Sequence, residues 1–272
     1  MRVCLRAVGL SALLALALPE AVFAQTAPAP KPEVRKATGG QPPAWMVPDT
    51  APAPAPASAA QGWYALVLAG SDEHPVFDRF TVDFAARLRQ AKVDTVSYLA
   101  GGAPTREKDG EVNPVKLRDP ARGVNNACLL YVTSHGSHDG FVEYAKDPRG
   151  LGVLTAGDLA VLADQTCGTR PAAIVVSACY GAAMVTPTLL KPNRVVLAAA
   201  RRDRSSFGCS FTDTYNYFDG CILKNWDESS TWVDLFRRAK ACISEREGPR
   251  KDASEPQLFV GDAAKTLAVP NK

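Results

Sequence analysis

The chain has 272 residues, of which 46% are hydrophobic and 22% are charged. This composition is typical of a soluble globular protein long enough to form a sizeable core. The formal net charge is only +3, from 31 basic and 28 acidic side chains. So small a charge does not favour binding to a polyanion, and we expect no nucleic acid partner.

Residues 1–24 have the pattern of a secretory signal peptide. Arg2 and Arg6 precede an apolar stretch from Ala7 to Leu18, and the small residues of Ala21–Ala24 suit cleavage before Gln25. The alternative is an uncleaved membrane anchor, but a bilayer span needs about 20 apolar residues. We therefore expect an exported protein, periplasmic or extracellular, without stable membrane insertion after cleavage.

Residues 25–61 are rich in proline and alanine. Such a segment buries too little apolar surface to offset its ordering entropy, so we expect a disordered, partly polyproline linker. The remaining residues, 62–272, are expected to form one domain.

Short, continuously apolar runs recur along this domain and predict five strands. Continuous apolarity indicates burial on both faces, as in a parallel sheet. The expected strands are Trp63–Ala69, Thr95–Leu99, Cys128–Thr133, Ala173–Ser177 and Val195–Ala200.

Amphipathic segments between and after these runs predict helices. They are Val76–Ala91, Thr155–Ala163, a helix that begins after Gly181, and Trp232–Glu245. Thr155 and Asp158 have the spacing of a capping box. Alternating strands and helices predict a three-layer α/β fold with a mostly parallel central sheet flanked by helices.

A histidine and a cysteine follow two of the expected strands. His135 comes just after the third strand, and Cys179 just after the fourth. In parallel sheets, chemistry gathers beyond the carboxyl ends of the strands. Each residue alone is more often structural, but together they offer a thiol nucleophile and the imidazole that would take its proton.

Neighbouring backbone groups suit the same chemistry. Gly136 leaves its own N–H open to a developing oxyanion, and the N–H of Cys179 could supply a second donor. A helix starting after Cys179 would favour the thiolate. Gly181 would let substrate or backbone approach closely.

Four segments together resemble the legumain family of cysteine peptidases, in the caspase-like clan, and most closely its bacterial members. They are LYVTSHG (130–136), VVSACYG (175–181), AAARRDRSSFGC (198–209) and YNYFD (215–219). The family's segments occur in the same order, and Ser254–Gln257 resembles the entrance to its final strand.

The resemblance implies that His135 is the catalytic base and Cys179 the nucleophile, with the amides of Gly136 and Cys179 forming the oxyanion hole. It implies hydrolysis of a peptide or protein substrate through a thioester acyl-enzyme, without metal or organic cofactor. In the family the residue before the cut is typically Asn, sometimes Asp, and a related member is a transamidase.

The expected substrate pocket departs from the family pattern. Better known members have an Arg-His pair just after the first strand, where the corresponding stretch of this chain reads Ser71-Asp72-Glu73-His74-Pro75. Acidic side chains there would favour a basic or amide side chain in the substrate, although a solvated loop is the alternative. By resemblance, Ser205, Ser206 and Asp219 are further candidates for substrate binding, together with His74.

Six cysteines follow the expected signal peptide. An oxidising compartment permits disulfides, but a nucleophile must stay free, and Cys128 lies within an expected buried strand. We therefore expect up to two disulfides among four residues, and a free thiol at Cys179. The four are Cys167, Cys209, Cys221 and Cys242.

Two other functions compete with the peptidase hypothesis. His135, His138 and Asp139 with Cys179 offer ligands for a metal-dependent hydrolase. Alternatively, the domain is a non-catalytic pseudo-peptidase that binds peptides, although both members of the dyad are present.

Overall fold

The computed structural model of the protein describes residues 62–100, 127–144 and 152–270. The expected signal peptide and linker lie outside these residues and remain predictions. Among the helices in the described ranges, none combines the length and apolarity needed to cross a membrane.

Nine strands and four α-helices make up the described part of the domain. The strands are β1 (Trp63–Ala69), β2 (Asp94–Tyr98), β3 (Ala127–Thr133), β4 (Gly136–Ser137), β5 (Phe141–Glu143), β6 (Val153–Thr155), β7 (Ala172–Ser177), β8 (Arg194–Ala198) and β9 (Gln257–Val260). The α-helices are α1 (Pro75–Gln90), α2 (Ala156–Cys167), α3 (Tyr217–Asn225) and α4 (Trp232–Glu247). All five expected strands are confirmed, with bounds shifted by at most two residues.

Six strands form one sheet in the order β2-β1-β3-β7-β8-β9. All neighbours pair in parallel except β9, which runs antiparallel to β8. Strands β4, β5 and β6 form a separate antiparallel sheet just after β3. At the centre β3 pairs with β7, and Thr133 stands opposite Ser177. The two strands therefore deliver the segments that follow them to one edge of the sheet.

Apolar layers cover both faces of this sheet, which confirms the three-layer expectation. On one face, α1, α3 and α4 pack through side chains such as Phe84, Phe218 and Trp232. On the other, α2 packs through Leu159 and Ala163. Strands β1, β3, β7 and β8 are buried along their whole length, as their continuous apolarity predicted.

Two helix predictions have different outcomes. The Thr155 side chain accepts a hydrogen bond from the Asp158 N–H and the Asp158 carboxylate accepts one from the Thr155 N–H, which confirms the capping box. The helix expected after Gly181 is wrong as an α-helix, because only a four-residue 3₁₀ turn, Gly181–Met184, forms there. Pro187 follows closely and disfavours helix in the residue before it.

Candidate active site

The segments that carry His135 and Cys179 lie in direct backbone contact. The N–H of Ser134 donates to the carbonyl of Ser177 at 3.1 Å, which extends the pairing of β3 with β7. A Cβ atom on Gly136 would collide with the carbonyl oxygen of Cys179 and would lie 2.9 Å from Cβ of Ala178. Gly136 is therefore needed for this contact, a role beyond the open amide expected from the sequence.

The sulfur of Cys179 is held by the loop that follows β8. The backbone N–H of Ser206 donates to Sγ at 3.3 Å, and Sγ lies 3.6 Å from the Ser206 carbonyl oxygen. The next residue, Tyr180, has a left-handed backbone with φ of 55° and donates its N–H to the Arg204 carbonyl at 2.8 Å. A non-glycine residue in this region is uncommon and marks a conformation that its surroundings impose.

The backbone N–H groups of the residues that follow Cys179 donate hydrogen bonds to backbone carbonyls. Those of Gly181 and Ala182 donate to the carbonyls of Ala178 and Ala200 at 3.2 and 3.0 Å. In the described part of the chain, no backbone carbonyl accepts from the N–H of Cys179. The short 3₁₀ turn that follows offers little of the helix dipole expected there.

The ring of His135 is fixed by aromatic neighbours and faces a carboxylate. Phe77 lies edge-on at 4.9 Å between centroids, and the ring of His74 lies at 5.3 Å. Oε2 of Glu73 is 3.4 Å from Nε2 of His135, within ion-pair range but without hydrogen-bond geometry. No sequence pattern indicates this contact, because it depends on the conformation of the loop before α1.

The expected pocket residues separate into two groups. Ser206 contacts the sulfur of Cys179 through its backbone, and Oγ of Ser205 lies 3.4 Å from the hydroxyl of Tyr180. His74 lies beside His135 and also contacts the 71%-exposed ring of Phe211 at 4.6 Å. An exposed aromatic ring beside the candidate site suits contact with a ligand, and no sequence pattern identified Phe211.

Asp219, in contrast, is fully buried beneath the site. Its carboxylate accepts hydrogen bonds of 2.6 Å from Tyr131, Thr133 and Asn216. Burial raises the pKa of Asp219 to about 6, against the opposing effect of these donors. The structure does not support direct contact of Asp219 with substrate, because the residue is fully buried.

This buried cluster supports the two strand ends. Asn216 donates to the carboxylate of Asp219 and also to the hydroxyl of Ser177 at 3.2 Å, while Thr133 donates from the neighbouring strand. Thr133 and Ser177 each lie two residues before a candidate catalytic residue. The hydrogen bonds of Asp219 and Asn216 therefore link residues at the ends of both strands.

The disulfide prediction is partly wrong. Two bridges form, Cys128–Cys167 and Cys221–Cys242, while Cys179 and Cys209 are free. Cys128 is buried in β3, as expected, but it faces the last residue of α2 across the core, so burial did not exclude pairing. Cys179 is free, as expected.

The other free thiol, that of Cys209, is also only partly exposed. Burial, and then the nearby charge of Cys179, raises the pKa of Cys209 to about 12. Cys209 therefore stays protonated near neutral pH, and only a thiolate is an effective nucleophile.

The metal ligands expected from the sequence do not come together. His138 and Asp139 pair with each other on the surface, with Nδ1 2.9 Å from Oδ1 and both side chains 68% exposed. Within the described ranges, the one group of three or more possible ligands is Glu73, His74 and His135. The expected hydrolase set of His135, His138 and Asp139 with Cys179 is therefore not assembled.

Comparison with known proteins gives one family match and two structural matches. The sequence model described as Peptidase C13 family matches residues 119–258. Among solved structures, the chain is similar to caspase-1 from Spodoptera frugiperda, with a TM-score of 0.52 and 12% identity over 79% of this chain and 92% of that one. A structure described as pro-sf-caspase-1 matches with a TM-score of 0.49 and 12% identity, over 74% and 90% of the two chains.

No curated protein sequence gives a significant match. The structural similarity to caspase-1 shows the fold alone, whereas the family match spans the strands and loops from β3 to β9. The chain therefore belongs to the peptidase C13 (legumain) family of cysteine peptidases and has that family's caspase-like fold.

Proposed function

We propose that the protein is a cysteine endopeptidase that uses Cys179 as nucleophile and His135 as general acid and base. The observation that carries this proposal is the close backbone contact between Gly136 and Cys179. Because Gly136 directly follows His135, this contact supports the pairing of His135 with Cys179 at one edge of the sheet. The thiol of Cys179, which is free and partly exposed, supports the same assignment.

The reaction follows from these groups. His135 takes the thiol proton while Sγ of Cys179 attacks the substrate carbonyl, and the N–H groups of Gly136 and Cys179 stabilise the oxyanion. The intermediate collapses to a thioester, and His135 returns the proton to the departing amine. A water molecule, deprotonated by His135, then hydrolyses the thioester and frees the thiol. Attack by an amine instead of water would give transpeptidation.

Specificity is proposed from the residues around this centre. The resemblance implies cleavage after Asn or Asp, and the Ser205 and Ser206 hydroxyls suit an amide. Glu73 and Asp72 are both exposed, and Glu73 lies beside His135. Their negative charge disfavours a carboxylate in the substrate. We therefore expect cleavage after Asn in preference to Asp.

The proposal is tested with a mixed peptide library and mass spectrometric identification of the cuts. Cys179→Ala and His135→Ala are expected to lower kcat/KM by about a thousandfold or more, because each removes a group that acts in the chemical step. Cys209→Ala and His138→Ala are matched controls, since each removes the same residue type outside the dyad.

Two results would contradict the proposal. One is unchanged cleavage by Cys179→Ala. The other is a wild-type chain that captures peptides without cutting any, which would indicate a peptide-binding pseudo-peptidase.

A further inference from the structure

Three side chains at the rim of the candidate active site converge without forming hydrogen bonds to one another. Glu73, His74 and His135 each offer one ligand atom, and these atoms all lie within 4.8 Å of one another. Glu73 and His74 come from the loop that leads into α1, whereas His135 follows β3. The fold therefore brings together a carboxylate and two imidazoles from separate segments.

Two ring nitrogens in this cluster have no hydrogen-bond partner among the described residues. Nδ1 of His74 and Nε2 of His135 are shielded from solvent, and neither forms a hydrogen bond within the described residues. A buried polar atom without a hydrogen-bond partner is destabilising, and in a native protein it often indicates an ion or water that binds there. Nε2 of His135 is also the atom that faces Glu73.

The spacing suits a tetrahedral metal ion. Bonds of about 2.0–2.1 Å to nitrogen and oxygen place neighbouring ligand atoms about 3.3 Å apart in a tetrahedron. Nε2 of His135 and Oε2 of Glu73 are already 3.4 Å apart. The imidazoles are held in place by contacts with Phe77 and Phe211. The Glu73 side chain is 65% exposed, so it can adjust the remaining distances.

We propose that Glu73, His74 and His135 bind a divalent transition-metal ion, best matched by Zn²⁺, and that the bound ion switches the peptidase off. Two histidines and one glutamate with an open fourth position are a known zinc ligand set, and imidazole selects transition metals over Mg²⁺ or Ca²⁺. This differs from the sequence-based hydrolase set, since it shares only His135 with it.

The inhibitory half of the proposal rests on the proposed function. A neutral imidazole has one lone pair for a metal or a proton, and its second nitrogen carries hydrogen. Once Nε2 of His135 is coordinated, the ring has no free lone pair for the thiol proton of Cys179. No bond in the protein is broken, so removing the metal restores the base.

Binding is tested by zinc titration calorimetry on the full-length Cys179→Ser chain, in which no thiolate remains at the nucleophile position. We expect one zinc ion per chain. Glu73→Gln and His74→Ala should each weaken binding about tenfold or more, and His138→Ala should leave it unchanged. Glu73 is exposed, so its variant keeps the test valid if His74→Ala misfolds. Absence of binding, or equal affinity in Glu73→Gln, overturns the proposal.

Inhibition is measured as the zinc concentration that halves peptide cleavage, relative to each variant's own zinc-free rate. This concentration should rise about tenfold or more in Glu73→Gln and stay unchanged in His138→Ala, and a chelator should restore full activity. An unchanged value in Glu73→Gln overturns inhibition through this site. If the chain cleaves no peptide, the proposed function and the inhibition fall together, and the calorimetry alone decides whether the metal site exists.

Discussion

The α-carbon of Gly136 determines how closely the two halves of the candidate site approach. The atom that an alanine would add meets the Cys179 carbonyl and the Ala178 side chain. These neighbours belong to a turn already constrained by the left-handed backbone of Tyr180. A substitution here therefore moves the nucleophile relative to the base instead of merely filling space.

Gly136→Ala is expected to lower kcat/KM about a hundredfold, because a displacement near 1 Å at reacting groups has an effect of that size. Gly157→Ala is the matched control. A Cβ atom on Gly157 would lie 3.7 Å from Oγ1 of Thr155, an ordinary contact, and alanine favours its helix. Peptide cleavage and thermal unfolding of both variants check the prediction, which fails if Gly136→Ala retains wild-type kcat/KM.

Asp219 predicts a pH dependence of stability. Its pKa is raised to about 6 when folded, against about 3.9 when unfolded, so the folded state holds this proton more tightly. Stability from the group is full below about pH 4 and is lost as pH rises through about 6. The loss amounts to roughly 3 kcal/mol.

Urea unfolding of wild type and Asp219→Asn between about pH 4 and pH 7 measures this effect. The asparagine variant does not titrate at this position, so the difference in unfolding free energy isolates Asp219. The unfolding free energy of wild type should fall relative to that of the variant as the pH rises. A constant difference, or one that changes in the opposite direction, would contradict the interpretation.

At the scale of elements, burial decided what could be predicted. The runs in β1, β3, β7 and β8 are apolar because both faces are covered, so their pattern was sufficient. Strands β4 to β6 are two or three residues long and carry no measurable period. Helix α3 was missed because Gly220 weakens its pattern, although Asn216, which accepts from the Asp219 N–H, is an N-cap signal.

The candidate site likewise contains residues that the sequence predicts and contacts that it does not predict. His135 and Cys179 follow long buried strands, so topology alone brought them to one edge. The contact of Glu73 with His135, and the contact of Phe211 with His74, depend on loop conformations that no periodic pattern encodes. Asp219 was identified, but its buried position could not be inferred without the fold.

Removal of the disulfide between α3 and α4 is expected to lower the stability of the protein without disturbing the candidate active site. Its cysteines are 21 residues apart, so the chain-entropy model gives about 3 kcal/mol for removing the bond. The double variant Cys221→Ala, Cys242→Ala should lose about that much unfolding free energy and keep most of its kcat/KM. Denaturant unfolding and peptide cleavage check both. A large loss of kcat/KM in variant protein that is still folded would contradict this separation.

At the scale of the whole molecule, two buried disulfides support the proposal that the protein is exported, because such bonds form and persist in oxidising compartments. We predict that protein produced with its own N-terminal segment matures to begin at Gln25. N-terminal sequencing of the exported fraction checks this prediction, and retention of residues 1–24 there would contradict it. The matched comparison is chain made without export, which should contain reduced Cys221 and Cys242.

The pairing of β3 with β7 also determines at what point in folding the two candidate catalytic residues come together. Neither His135 nor Cys179 has its partner until two strands, separated in sequence by the whole of α2, lie side by side. On the proposed function, an unfolded chain therefore carries both groups without being able to use them, and peptide cleavage requires the pairing of β3 with β7 to be complete.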